Sequence, residues 1–232
     1  MSVKNRNSVV KDGLVFYVDA GNEDSYPGSG TTLTDLVESV SLSENGNPVY
    51  NSSKGGYFIY DGTDDWHNGT GSFSGAEISA ECWFYINASS GRQSLFGSVT
   101  DSWSDRRFLL NVESDEKPRF VVWTNNESDS TRGITLKSSS TTLSAGTWYH
   151  LAGTYDSTNG PKLYINGSLD TSVSTVLSSA LGSGTNIRVG ARGLSSADPL
   201  QNGGISSCKV YNRVLSADEI TQNYNALKNR FI

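Results

Sequence analysis

Carboxylates, histidines and tryptophans are the residues of this 232-residue chain whose types and spacing could do chemistry. The run Asp61-Gly62-Thr63-Asp64-Asp65-Trp66 gathers three carboxylates in one tight turn. With backbone carbonyls beside them, they offer the oxygens that a hard cation such as calcium takes. The spacing departs from an EF-hand loop, and Asp-Gly turns also form without metal, so a turn-forming role stands beside the calcium reading. A second acidic run is Glu113-Ser114-Asp115-Glu116-Lys117-Pro118. It comes nearest to E-x-D-x-E, the strand pattern that sets carboxylates on one face to flank a glycosidic bond. Lys117 takes the third carboxylate's place, so a hairpin of mixed charges is the better reading and no hydrolysis is expected from it.

His67 and His150 are the only histidines, and no G-x-S-x-G elbow accompanies them. Two histidines and two cysteines at these separations lack zinc-ligand spacing. His150 alternates with Trp148 and Ala152 along a strand-like run and reads as structural. No catalytic residue is therefore expected, and the chain reads as non-enzymatic. Saccharide binding would need an exposed aromatic face for the apolar side of a pyranose, with planar polar groups for its hydroxyls. Trp103 is the best candidate, in the polar loop DSWSDRR beside Asp101, Asp105 and Arg106, and Trp66 is a second. A loop tryptophan could equally cover a neighbouring strand or pack against another chain. Trp83, Trp123 and Trp148 lie in alternating runs and are expected in the core.

These residues need a scaffold, and the composition names its kind. Hydrophobic residues are only 35% while Gly, Ser, Thr and Asn abound, a mixture that many short strands with polar outer faces and many turns would give. The formal net charge of −6 repels phosphate backbones and anionic lipids, so neither nucleic acid nor membrane is an expected partner. Lys4, Arg6 and Lys11 lie in a polar arm without the apolar core of a signal peptide, so synthesis in a cytoplasm is expected. Cys82 and Cys208 read as buried thiols rather than a disulfide framework. The sequons at Asn51, Asn68, Asn87, Asn126 and Asn166 arise by chance in such a composition.

Strands are expected near Gly13 and at 56–60, 77–87, 93–99, 106–113, 118–124, 132–137, 147–156, 161–169, 186–191 and 203–211, with turns at Asn159-Gly160 and Asn166-Gly167. The clearest is 77–87, where Ile78, Ala80, Cys82, Phe84 and Ile86 alternate with Ser79, Glu81, Trp83 and Tyr85. One helix is expected at the end, capped by Ser216 with Glu219 three residues on, its stripe of Ile220, Tyr224 and Leu227 facing the sheet edge or a convex face. Residues 1–12 read as an extended arm and 13–232 as one all-β, two-sheet antiparallel jelly-roll sandwich.

The runs GLVFYVDAGN, SYPGSGTTLTDL, IYDGTDDW, TWYHLAGTYDSTNGPKLYINGSL and ISSCKVYNRVLSADEI together resemble the laminin-G-like, concanavalin A-like domains of many bacteriophage virion proteins. The SYPGSGTT loop is most like the phage versions. The resemblance implies first and last strands side by side and a short C-terminal helix closing the edge. It also implies a binding or structural role with a structural calcium common, to whose acidic turn Asp19 of the first strand could come close. The expectation is a tail, fibre or capsid-surface component of a virion, held to other virion proteins by its arm and sheet edges. Host glycans and further copies of the chain are possible partners, and a soluble or adhesive carbohydrate-binding module is the alternative.

Overall fold

The computed structural model describes residues 8–87, 91–99, 106–124, 133–192 and 198–232. Sixteen strands run in chain order: β1 (Leu14–Asp19), β2 (Thr32–Thr34), β3 (Ser41–Asn45), β4 (Val49–Asn51), β5 (Tyr57–Asp61), β6 (Trp66–Phe73), β7 (Ile78–Tyr85) and β8 (Gln93–Val99). They continue as β9 (Arg106–Val112), β10 (Pro118–Trp123), β11 (Gly133–Lys137), β12 (Trp148–Asp156), β13 (Gly160–Ile165), β14 (Ser168–Ser172), β15 (Gly184–Val189) and β16 (Gln201–Tyr211), followed by helix α1 (Ala217–Leu227). The first sheet is ordered β14-β13-β12-β7-β16-β5-β4, with β1 also on β16; the second is β11-β10-β9-β8-β15-β6-β3-β2. Eleven-residue β16 is long enough to pair β5 along its first half and β1 along its second, with β7 on its other side. First and last strands are thus neighbours, and the chain is the expected antiparallel sandwich.

Period-two patterning decides what lies between the sheets, because residues directly opposite on neighbouring strands share a face. Val18, Cys208, Cys82, Leu151 and Ile165 form one inward row of the first sheet. Val189, Phe96, Leu110, Phe120 and Leu136 form one of the second. Aromatic contacts tie the layers, Phe16 stacking on Phe96 with centroids 5.8 Å apart. Gly153 of β12 gives the Phe120 ring of the other sheet its space: a Cβ there would strike that ring. Asn166-Gly167 makes the two-residue β13–β14 turn with positive φ at both positions (51° and 79°), the backbone that this dipeptide tolerates best.

Helix α1 begins with the expected capping box: Ser216 Oγ accepts from the Glu219 amide at 3.2 Å, and Glu219 Oε2 accepts from the Ser216 amide at 2.8 Å. The helix does not close an edge; it lies on the outer face of the first sheet. Ile220 packs with Ala152, Tyr164, Tyr211 and Val10, while Tyr224 and Leu227 pack with Trp83, Trp148 and Phe231. Trp83 and Trp148 are accordingly buried, but under the helix rather than between the sheets.

Beneath α1 runs a polar network. Asn223 Nδ2 donates to Glu81 Oε1 at 2.8 Å and to the Tyr211 hydroxyl at 3.0 Å, while its Oδ1 accepts from the Val10 amide at 2.8 Å. Burial pushes the Glu81 carboxyl up, but the facing His150, Lys209 and Asn223 outweigh it and hold the group below its ordinary value. The same contacts draw the end of the expected arm into the folded body, with Val9 and Val10 both buried.

Candidate functional site

The acidic turn is assembled as its spacing suggests, with ligand atoms of Asp61, Asp64 and Asp65 within 4.8 Å of one another. Both oxygens of Asp65 already accept backbone hydrogen bonds, from Asn47 at 2.7 Å and from Asp61 at 3.0 Å, and Asp61 Oδ1 accepts from Thr63 at 2.7 Å. This is a clamp between two loops, and among the described residues no hydrogen bond engages the Asp64 carboxylate or Asp61 Oδ2. Asp19 stands apart from it. The sequence-level expectation brought Asp19 to the turn, but Arg230 takes its carboxylate in a two-oxygen ion pair at 2.9 and 2.8 Å, which pins the C-terminal tail to β1.

Trp66 is corrected likewise. Only 8% of it is exposed, and the Arg188 guanidinium lies over its ring, 5.4 Å from the centroid, so it offers no free stacking face. Trp103, Asp101 and Asp105 lie outside the described residues. Arg106 opens β9 with its side chain half-buried. Arg107, its neighbour in the same run, is buried and gives its guanidinium to the carbonyls of Ser74, Gly75, Glu77 and Gly182, an anchor for two loops. His150 lies buried beside Glu81, as a structural role requires.

The outer face of the second sheet brings together groups that sequence reading missed. One row across it is Lys137, Arg119, Asn111 and Ser94; the next is Thr135, Val121, Leu109, Gly97, Arg188 and Asn68. Val99, Leu109, Val121 and Trp123 form a buried apolar strip there, none more than 8% exposed. Beside the strip, Arg119 Nε donates to Asn111 Oδ1 at 2.9 Å. Its terminal nitrogen meets Glu113, which also receives Arg92 at 3.2 Å. Asp198 Oδ2 stands 3.7 Å from Arg92 and 3.3 Å from Arg192, and the Asp198 carbonyl accepts from the Ser94 amide at 2.8 Å. Burial holds the Arg119 guanidinium down at about 10, Glu113 opposing and Arg92 adding to the fall.

Under these charges the Asn111 Nδ2 and the Ser94 hydroxyl are buried without a hydrogen-bond partner. A buried polar group left so costs roughly 1–3 kcal/mol. β9 reads RRFLLNV and β10 PRFVVW, without polar–apolar alternation, so neither strand announced this site in the sequence. Glu113, by contrast, was singled out in the acidic run; it and Asp115, which pairs with Lys137 at 2.6 Å, flank a hairpin as expected.

Comparison with known proteins agrees with this architecture. No curated protein matches the chain in sequence. Among solved structures, the receptor-binding domain of botulinum neurotoxin type G superposes with a TM-score of 0.68 at 15% identity, over 92% of this chain and 51% of its own. A botulinum neurotoxin type C structure described by its interaction with two ganglioside molecules gives 0.70 at 14% identity, over 97% and 53%. Trypanosoma rangeli sialidase in complex with sialic acid gives 0.67 at 12%, over 97% and 34%. The chain thus spans about half, or less, of these proteins, and the likeness is one of fold. A family model described as the concanavalin A-like lectin/glucanases superfamily matches residues 60–221, and the chain belongs to that superfamily.

Proposed function

We propose that the chain is a non-enzymatic, lectin-like module that binds carbohydrate. The observation that carries this reading is the outer face of the second sheet, where the planar guanidinium groups of Arg92 and Arg192 stay partly exposed beside the row of Arg119, Asn111 and Ser94. Guanidinium forks of this kind are among the polar groups that fix a sugar's hydroxyls and acidic groups. The fold relatives lend support, since a neurotoxin that interacts with gangliosides and a sialidase bound to sialic acid both contain a body of this shape.

A finer proposal is that the module is carried on the outside of a bacteriophage particle, made in the host cytoplasm and joined to other virion proteins. Its support is the likeness of the SYPGSGTT opening to phage domains. Immunogold labelling of particles from the source material tests it; label absent from every particle contradicts it. For the binding itself, the intact chain is applied to a broad saccharide array. Retention of a defined saccharide class, competed by the same free saccharide, is expected, whereas silence across the array contradicts the reading.

A further inference from the structure

The charges on the second sheet's outer face do not balance. Among the described residues, Arg92, Arg119 and Arg192 meet only two carboxylates, Glu113 and Asp198, an excess of one positive charge in a chain whose formal net charge is −6. The partners are also unevenly shared. Glu113 takes hydrogen bonds from Arg92 and an ion pair from Arg119, while Asp198 Oδ2 makes no hydrogen bond at all and sits loosely between Arg92 and Arg192. Arg192 has Asp198 as its one ionic partner among the described residues, and its side chain is 31% exposed; that of Arg92 is 36% exposed. Two guanidinium forks therefore reach solvent with donors to spare, in the planar geometry that grips a carboxylate or sulfate through paired hydrogen bonds. On the same face the Asn111 Nδ2 and the Ser94 hydroxyl are buried and, among the described residues, without a hydrogen-bond partner.

We infer that this face takes an acidic saccharide, its anionic group seated on Arg192 and Arg92. The inference rests on the carbohydrate-binding reading and narrows it to a ligand class. A carboxylate on the sugar and a sulfate ester share this chemistry, and the experiment separates them.

The full chain is titrated calorimetrically with neutral, sialylated, uronate-bearing and sulfated oligosaccharides, in parallel with Arg192→Gln, and a melting curve verifies that the variant folds. Acidic oligosaccharides are expected to bind and their neutral counterparts to bind far more weakly. Arg192→Gln is expected to weaken acidic binding on the order of tenfold, as loss of a charge-assisted hydrogen bond implies. Binding of the carboxylated or of the sulfated set alone supports the inference and names the acid. Equal binding of neutral and acidic sugars, or acidic binding indifferent to Arg192→Gln, overturns the inference while leaving the module a carbohydrate binder. Silence with every sugar overturns both.

Discussion

His67 is buried in the sandwich with its Nδ1 3.1 Å from the Tyr60 hydroxyl and the Phe58 ring 4.5 Å away. Burial holds its imidazole down to about 4, whereas in the unfolded chain it titrates near the ordinary histidine value of 6.5. Between those values the unfolded state binds a proton that the folded state refuses, so stability is full above pH 6.5 and drains away as the pH falls towards 4. The expected loss over that window is about 3 kcal/mol. Urea titrations at several pH values measure it, and His67→Gln should flatten the slope there. Cys82 and Cys208 face each other across β7 and β16, and burial pushes both thiols up, so they stay protonated and apolar in character. Asp65 is spent on backbone amides and Trp66 on Arg188, contacts made across strands that no local motif reveals.

Arg107 governs elements rather than ligands. Its guanidinium, held by burial down at about 10, joins the loop between β6 and β7 to the segment before β15 through four carbonyls. Arg107→Met keeps much of the apolar stem but strands those carbonyls, and is expected to cost roughly 2 kcal/mol. A lower urea midpoint at unchanged slope is the signature to look for. Elements with strict alternation, such as β7 and β12, were legible in sequence because their own residues encode which face is buried. The strands β2, β3, β4 and β6 were not. β3 reads SLSEN with only Leu42 buried, and β6 reads WHNGTGSF with two glycines, so their strand state comes from the neighbours that pair with them. The acidic turn was legible because it is local. The arginine site was not, because Arg92, Arg119, Glu113, Arg192 and Asp198 come from separate segments that only the second sheet brings into one place.

At the scale of the whole molecule the two outer faces are unlike. The chain itself seals the middle of the first sheet's outer face: α1, Phe231 and Val10 cover Trp83 and Glu81, and Arg230 on Asp19 fastens the tail. The second sheet's outer face is largely buried too, but keeps the partly exposed arginines Arg92 and Arg192. The proposed function assigns recognition to the second sheet, and hydrogen–deuterium exchange of the intact chain, with and without a saccharide that it retains, tests this most directly. Slower exchange on binding is expected in β8, β9 and β10 and around Arg192, with α1 and the first sheet unchanged. Protection confined to α1 and the first sheet, with β8 to β10 unaffected, would contradict it.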